Sequence, residues 1–345
     1  MSLLGGCKQE GAEKAATPRI AILLPETKTA RYESQDLPIF KSRLQALGYD
    51  VTTLIYANAN QDAAAQRQQA EAALTNGAKV LVLDPVDSDA ASSVAELARS
   101  RGVPVIAYDR LINGTDAVTA YISFDNEQVG RLQGQSLLEA LAGKANPTVV
   151  MINGSPTDNN ATLFKRGAHS VLDGKVNVAK EYDTPDWSPD KAQDQMQQAL
   201  TALNNVVDGV YAANDGTAGG AIAAMKAAGL KTLPPVTGQD AELAAIQRVL
   251  VGEQHMTVYK AIRQEAEAAA EMAYTLAQGK PLPATMTPNK VNNGKAEIPS
   301  RLLTPVVVTK ANVKDTVVKD GFWKAAETCT GTYAAACAQA GITAP

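Results

Sequence analysis

The chain has 345 residues, and at about 150 residues per domain this length suggests two domains. Hydrophobic residues make up 45% and charged residues 20%, a globular composition that excludes a wholly disordered chain. The 32 basic and 36 acidic residues give a formal charge of −4, which argues against nucleic acid as the main partner. No apolar run of about 18 residues occurs, so we expect no membrane-spanning helix.

The chain opens with Leu4-Gly5-Gly6-Cys7, which is similar to a bacterial lipobox, where the cysteine is lipidated. Residues 8–17 are polar and rich in Ala, Gly and Glu, a composition typical of a flexible tether. We therefore expect residues 1–17 to be a lipobox-like start and tether, with Cys7 anchoring the protein at a membrane surface. The alternative is an ordinary chain start with an incidental cysteine.

Short apolar runs rich in β-branched residues recur along the chain, and each is predicted to be a strand. They are 19–24, 51–56, 80–83, 103–108, 121–124, 148–152, 176–182, 210–213, 236–238 and 256–259. Between most of them lie Ala- and Gln-rich segments with helical periodicity, such as 62–75, 91–101, 127–142 and 190–203. This alternation indicates an α/β fold with parallel sheets covered by helices.

About ten strands are many for one sheet. Together with the chain length, this number predicts two doubly wound parallel-sheet lobes. We expect three hinge crossings between the lobes, at 125–126, 259–260 and 299–305, with a hairpin turn at 292–294 before the last. The predicted parts are an N-terminal lobe (18–125 plus 261–300), a C-terminal lobe (126–260 plus 301–325) and a Cys-containing tail (326–345).

Two of the three cysteines lie in that tail. Cys329 and Cys337 flank a short run of small residues, which favours a disulfide bond between them. Such a bond would contribute about 2–3 kcal/mol; two free thiols are the alternative. No CxxC spacing occurs, which argues against thioredoxin-like or zinc-ribbon chemistry.

Several predicted strands end in polar residues, which are Asp109-Arg110, Asn214-Asp215, Gln239-Asp240 and Lys260. In open α/β sheets ligands bind outside the carboxyl ends of the strands, so we expect these residues near one ligand. A helix N-cap is the alternative for any single Asp or Asn. An adjacent acid and arginine is not a cap pattern, and it offers acceptors and a planar donor to a polyhydroxylated ligand.

Aromatic residues are only 5% of the chain, which draws attention to Trp187 in a turn-rich segment. An indole can cover the C–H face of a sugar ring; a surface tryptophan folded back on its own domain is the alternative. Arg31-Tyr32, after the first predicted strand, offers a second aromatic ring and a second guanidinium. Trp323 is predicted to serve packing.

Nucleotide and catalytic motifs are missing: the sequence has no GxGxxG after the first strand, no GxxxxGK[ST] and no GxSxG. The two histidines, His169 and His255, are far apart, which argues against a His-rich zinc site and against a triad base. We expect no catalytic residue, no metal and no cofactor.

Seven segments, in one order, resemble the periplasmic sugar-binding proteins of bacterial ABC importers, above all their D-xylose-, glucose/galactose- and multiple-sugar-binding members. They are 107–113, 121–126, 154–161, 214–221, 237–241, 256–260 and 299–305. The resemblance implies the type I fold of that family, with two lobes that close on a sugar. It also implies an extracytoplasmic monomer that hands its ligand to a membrane permease, with a chemoreceptor as a further candidate partner.

The resemblance also assigns the site. Hydroxyl groups would be bound by Arg31, Asp109, Arg110, Asn160, Asn214, Asp240 and Lys260. Trp187 and Tyr32 would sandwich the ring, although the family commonly has Trp at position 32, and the smaller Tyr keeps D-glucose close to D-xylose as the expected neutral aldopyranose. We expect Asp158 and Asp215 to balance the surplus of cations.

Two other classes of protein remain as alternatives. The ligand domain of a sugar-responsive regulator would need a DNA-binding helix-turn-helix before the first strand, where only about 18 residues precede Arg19. An α/β enzyme that acts on a sugar would need the catalytic motifs that are missing.

Overall fold

The computed structural model describes residues 18–343, so the predicted lipidation of Cys7 lies outside the described residues. The strands are β1 Arg19–Leu24, β2 Ile55–Asn58, β3 Ala78–Leu83, β4 Val105–Tyr108, β5 Ala120–Phe124, β6 Thr148–Asn153, β7 Asn177–Asp183, β8 Gly209–Ala212, β9 Thr257–Tyr259, β10 Asn289–Asn292, β11 Glu297–Leu303 and β12 Val306–Val308. The helices are α1 Leu37–Ala46, α2 Ala63–Thr75, α3 Ser92–Ser100, α4 Asn126–Ala140, α5 Asn159–Leu172, α6 Pro189–Ala202, α7 Asp215–Ala227, α8 Leu243–Val251, α9 Ile262–Ala277, α10 Ala325–Thr328 and α11 Ala334–Gln339.

The strands form a seven-stranded sheet in the order β10-β11-β5-β4-β3-β1-β2 and a three-stranded sheet in the order β7-β6-β8. Both are parallel except for the β10–β11 pair, which the predicted hairpin turn at 292–294 joins in antiparallel register. A separate antiparallel pair is formed by β9 and β12. The predicted α/β fold is confirmed, with mixed rather than purely parallel sheets.

Five elements differ from the sequence prediction. The strand expected over 51–56 begins only at Ile55, because Asp50 accepts a hydrogen bond from the Thr52 amide and caps a 3-10 turn. The strand expected over 236–238 reduces to a single parallel bridge between Val236 and Val210. The last three strands were not predicted, since β10 is polar and β11 contains Pro299.

The chain passes between the two sheet systems three times. It leaves the seven-stranded sheet after β5, returns through α9 after β9, and leaves again between β11 and β12 at Thr304-Pro305. The residue ranges predicted for the lobes, and the use of these crossings as hinges, stay predictions. Within residues 18–343, no helix is both long and apolar enough to cross a membrane.

Helices cover both faces of each main sheet, which is why central strands such as β4, β6 and β8 lack polar alternation. One face of the seven-stranded sheet packs on α2 and α3, and the other on α1 and α9 through Phe40, Leu44 and Met272. The three-stranded sheet packs on α4 and α5 on one side and on α6 and α7 on the other. Each sheet therefore has two buried cores of its own.

Helices α4 and α5 are in direct backbone contact because each has a glycine at the crossing. A Cβ on Gly130 would lie 1.9 Å from the Phe164 carbonyl oxygen, and one on Gly167 would lie 2.1 Å from the Glu127 carbonyl oxygen. No other residue fits either position without moving a helix. This packing fixes α5, whose first turns carry Asn160 and Phe164.

The tail is folded rather than extended. Helices α10 and α11 are linked by the predicted disulfide between Cys329 and Cys337, whose Cα atoms are 5.7 Å apart. Cys337 and Ile342 are buried in an apolar cluster that also contains Phe322 and residues of α8. The predicted disulfide is confirmed in the structure.

Candidate ligand-binding site

One cavity between the sheet systems brings together all nine residues that the sequence predicted as ligand contacts. It takes lining residues from both sides. The predicted residues that line it are Arg31, Tyr32, Asp109, Arg110, Asn160, Trp187, Asn214, Asp240 and Lys260. Four lining residues were not predicted as ligand contacts: Thr29, Asp158, Phe164 and Gln239.

The carboxyl ends of several strands place these side chains together. Asp109 and Arg110 follow β4, Asn214 follows β8 and Lys260 follows β9, all at carboxyl ends. Asn160 lies in the first turn of α5, which follows β6. Since carboxyl ends of parallel strands share one edge of a sheet, the two sheets face each other across the cavity with their polar ends.

Three of the lining residues have a left-handed backbone. The φ angles are 55° for Asp109, 52° for Trp187 and 93° for Asp240. Such conformations cost roughly 1–3 kcal/mol each, less for Asp than for a bulky residue. Backbone hydrogen bonds hold two of them, from the Asp109 amide to the Ile122 carbonyl and from the Asp240 amide to the Val258 carbonyl, each 2.9 Å. Strain concentrated at one cavity is typical of a binding site.

Asp109 is the centre of a buried charge network. Its Oδ2 lies 2.5 Å from Arg31 Nη2 and accepts a 2.8 Å hydrogen bond from the Tyr32 hydroxyl, and its Oδ1 lies 3.5 Å from Lys260 Nζ. Burial opposes ionisation, but the two cations outweigh it and hold the pKa of Asp109 well below its usual range. Lys260 Nζ also lies 3.1 Å from Asp240 Oδ1, so one ammonium joins both acids.

Arg31 is backed by acids that face away from the cavity. Its Nη1 lies 3.4 Å from Glu265 Oε2 and 3.5 Å from Asp36 Oδ1, and Asp36 accepts a 2.6 Å hydrogen bond from Tyr108. Burial raises the pKa of Asp36 to about 6 and the pKa of Glu265 well above its usual range. Burial lowers the pKa of Arg31, but the surrounding carboxylates, Asp109 foremost, raise it further than burial lowers it, so Arg31 stays charged.

Arg110 has its own set of acids. Its Nε lies 2.9 Å from Asp158 Oδ2 and 3.6 Å from Asp84 Oδ1, and its Nη2 lies 3.8 Å from Glu26 Oε1. The expectation that Asp158 balances a cation is met by this contact. The same expectation for Asp215 is wrong, because Asp215 does not line the cavity and its carboxylate bonds to groups behind it.

Some buried polar atoms of the lining lack a hydrogen-bond partner of good geometry. They are Arg31 Nε, Asp109 Oδ1, Arg110 Nε, Gln239 Oε1 and Asp240 Oδ1. A buried polar atom without a hydrogen bond costs about 1–3 kcal/mol. Two donors and three acceptors left in this state fit a ligand whose groups both donate and accept.

The aromatic residues line the cavity in two places. The Trp187 indole is buried and donates a 3.1 Å hydrogen bond to Asp158 Oδ2. Its ring packs edge-on against the Phe164 ring, with the two ring centroids 6.3 Å apart. It lies against Gly154, where a Cβ would be 2.0 Å from the indole. Tyr32 is held by its hydroxyl bond, and the Arg31 guanidinium lies 4.7 Å from its ring centroid.

Phe164 is a lining residue that was not singled out from the sequence. A signal was available, since it lies four residues after Asn160 and therefore on the same face of α5, one turn further along. Gln239 directly precedes a predicted site residue, and its Nε2 donates to Asp240 Oδ2 at 3.2 Å.

The side chains of Asn160 and Asn214 make different kinds of hydrogen bond. Asn160 Nδ2 donates a 3.0 Å hydrogen bond to the Asp109 carbonyl across the cavity, while its Oδ1 accepts one from Asn126. Asn214 caps α7, with its Oδ1 accepting from the Thr217 amide at 2.9 Å. The helix cap therefore occurs here, and the Nδ2 amide is the group that Asn214 can offer a ligand.

Residues 20–281 match the family described as "Periplasmic binding protein domain". The chain belongs to this family. It is 41% identical over 321 residues to the D-xylose-binding periplasmic protein of Escherichia coli (strain K12), covering 92% of this chain and 94% of that protein. The resemblance predicted from the sequence is confirmed.

Solved structures of the family have the same fold. An ABC transporter solute-binding protein from Clostridium phytofermentans with bound β-D-glucose has a TM-score of 0.83 and 30% identity, covering 90% of this chain and 99% of that one. A carbohydrate transporter solute-binding protein from Chloroflexus aurantiacus, in complex with D-glucose, has a TM-score of 0.79 and 32% identity, covering 90% and 98%. The predicted type I fold of periplasmic binding proteins is confirmed.

No group of three or more His, Cys, Asp or Glu in the described part of the chain could hold a metal ion. The carboxylates of the cavity are instead engaged by Arg31, Arg110 and Lys260. This site is suited to hold a small polar molecule between charged and aromatic groups.

Proposed function

We propose that this chain is an extracytoplasmic solute-binding protein that captures a neutral aldopyranose, D-xylose or D-glucose, in the cavity. It delivers the sugar unchanged to the permease of an ABC-type importer and has no enzymatic activity. The relatives support this proposal, since one is a D-xylose-binding protein and two solved structures hold glucose.

The observation that carries the proposal is the balance of donors and acceptors in one buried cavity. Each pyranose hydroxyl can donate and accept, so a dry site needs both kinds of group. Arg31, Arg110 and Lys260 donate, and Asp109 and Asp240 accept. An anionic sugar is disfavoured, because every one of these cations already contacts at least two carboxylates.

The aromatic rings supply contacts for the C–H faces of the sugar. Trp187 and Phe164 form one apolar wall, and Tyr32 lies among the polar groups. Since Tyr is smaller than Trp, we expect position 32 to accommodate the CH₂OH group that distinguishes D-glucose from D-xylose. Both sugars therefore remain in the proposal.

The proposal extends to partners and location. A lipid on Cys7 would hold the protein at the outer face of the cell membrane, and the closed form would be recognised as a monomer by the permease or by a chemoreceptor. These statements rest on the lipobox-like start and on the family.

Titration calorimetry on protein stripped of ligand by unfolding and refolding tests the sugar. A thermal-shift screen over pentoses and hexoses should first show the largest shifts with D-xylose or D-glucose. Xylitol, which cannot form a ring, and D-glucuronate, which is anionic, are the matched controls and should bind weakly. Stronger binding of D-glucuronate than of both aldoses would contradict the proposal.

A further inference from the structure

The C-terminal segment reaches the back of the loop that carries Asp240. Trp323 Nε1 donates a 2.7 Å hydrogen bond to the carbonyl oxygen of Ala241, the residue after Asp240. Beside it, the Phe322 ring lies 5.1 Å from the ring of Tyr259, which directly precedes Lys260. Two neighbouring residues of this segment thus contact the chain next to two cavity residues.

The loop needs such support, because Asp240 and Ala241 both have positive φ angles, 93° and 51°. The amides of these residues have partners on β9: the Asp240 amide donates to the Val258 carbonyl and the Ala241 amide to Thr257 Oγ1. Ala241 is fully buried. A buried carbonyl also needs a donor, and Trp323 supplies it for Ala241.

Trp323 is itself held firmly. The cluster around it contains Cys337 and Ile342, and the disulfide closes the tail over this cluster. The Phe322 carbonyl accepts a 3.3 Å hydrogen bond from Gln35 Nε2, which lies in the turn that begins just after Arg31. The segment is therefore tied to both sides of the cavity.

We propose that Trp323 is a positioning residue for Asp240: its indole N–H fixes the left-handed Asp240-Ala241 loop and so orients the carboxylate toward the ligand. This inference rests on the proposed sugar-binding function and assigns a role to a residue outside the cavity. It also gives the disulfide-closed tail a connection to the site.

Trp323→Phe tests the proposal, because it keeps an aromatic ring against Phe322 and removes only the N–H donor. We expect the Kd for D-xylose or D-glucose to rise about tenfold, which corresponds to one lost buried hydrogen bond. Trp187, the remaining tryptophan, reports binding by fluorescence. Trp323→Tyr, which also lacks the indole N–H, serves as the second variant should Trp323→Phe not fold.

The matched control is Gln247→Ala, which removes side-chain contacts to the Glu327 and Thr328 carbonyls of the same tail without touching the Asp240 loop. Its Kd should equal that of the unmodified chain. In an Asp240→Ala background, Trp323→Phe should have no further effect on Kd, since a positioning residue acts through the group it positions. A full additional loss in that background would overturn the proposal.

Hydrogen–deuterium exchange at the amides of residues 240–242, measured without sugar, separates this inference from the proposed function. Trp323→Phe should speed exchange at these amides, and Gln247→Ala should not. Unchanged exchange and unchanged Kd in Trp323→Phe would refute the positioning role. A chain that binds no monosaccharide would refute the proposed function, while the exchange result would still decide whether Trp323 orders the loop.

Discussion

Two buried aspartates, Asp109 at the cavity and Asp215 behind it, show how differently one residue type can be used. Both follow a strand and both are almost completely buried. Asp109 contacts the cations Arg31 and Lys260, which hold its pKa well below the usual range despite burial. Asp215 contacts neutral donors, and burial raises its pKa to about 7.

The partners explain the contrast. Asp215 accepts hydrogen bonds from Gln254 Nε2, Thr257 Oγ1 and the Glu242 amide, at 2.8 to 2.9 Å. Arg248 donates to the backbone carbonyl of Asp215 rather than to its carboxylate. Burial alone therefore does not determine the charge of a carboxylate; the contact with a cation does. Asp109 therefore stays charged at the cavity, whereas Asp215 serves to hold the neighbouring chain through hydrogen bonds.

The largest effect is expected from Asp109→Asn, which removes the negative charge shared by Arg31 and Lys260. Losing one charged hydrogen-bond partner costs about 1.5–3 kcal/mol, and here two cations lose theirs, so the Kd for sugar should rise at least about a hundredfold. Breaking a buried ion pair also lowers the stability of the fold, by about 3–5 kcal/mol.

Calorimetry and urea unfolding measure the two effects of Asp109→Asn separately. The control is Asp194→Asn, which replaces an exposed aspartate on α6 and should change neither the Kd for sugar nor the unfolding free energy. Binding by Asp109→Asn as tight as that of the unmodified chain would remove Asp109 from the proposed site.

The second prediction concerns pH. Burial raises the pKa of Asp215 from 3.8 to about 7, so the folded state favours its protonated form. Its contribution to stability is complete below pH 3.8 and is lost as pH rises toward 7. Asp109 has a lowered pKa, so its contribution is present above its unfolded pKa and is lost only in stronger acid.

Asp215→Asn cannot ionise at this position, so relative to the unmodified chain its unfolding free energy should increase between about pH 4 and pH 7, by a few kcal/mol at most. Urea unfolding at several pH values measures this difference. Asp194→Asn should follow the unmodified chain throughout. Parallel curves for Asp215→Asn and the unmodified chain would show that Asp215 is ionised when folded.

The sequence predicted the cavity better than it predicted what surrounds the cavity. Strand ends are local features, and the family resemblance supplied an order for them, so Asp109, Asn214 and Lys260 could be assigned in advance. The partners of Asp215 come from residues that flank α8 and from β9, at distant positions in the chain. No local sequence pattern indicates them. Its misassignment as a balancing charge follows from this.

The fold shows the same limit. Strand β4 is apolar throughout and β3 is apolar from Val80 onward, and both were readily predicted. The polar edge strand β10 and the Pro-containing β11 were not. The tail contact was missed as well, because the hydrogen bond from Trp323 to Ala241 joins residues 82 positions apart. Only tertiary structure could place them together.

The third prediction tests the tail that supports the region behind the cavity. Replacing Cys329 and Cys337 by Ser should lower the unfolding free energy by about 2–3 kcal/mol, the value for a short closed loop. Cys7→Ser is the matched control and should leave stability unchanged. Intact mass after alkylation without reduction gives an independent check, and two alkylated thiols at these positions would contradict the bond.

The smallest expected change is in the overall shape of the protein, which depends on the contacts between the two sides of the cavity. The direct contacts outside the charge network are polar. They include the hydrogen bonds from the Ser88 amide to the Thr157 carbonyl, from the Asn159 amide to Ser88 Oγ and from Gln61 Nε2 to the Asp186 carbonyl. Water can replace such contacts at little cost, so the sides should separate without ligand and close on it. Small-angle scattering of stripped protein should therefore show a radius of gyration that decreases on addition of sugar. The radius of gyration of the Asp109→Asn variant should decrease less at the same sugar concentration. An equal radius of gyration with and without sugar in the unmodified chain would exclude hinge closure.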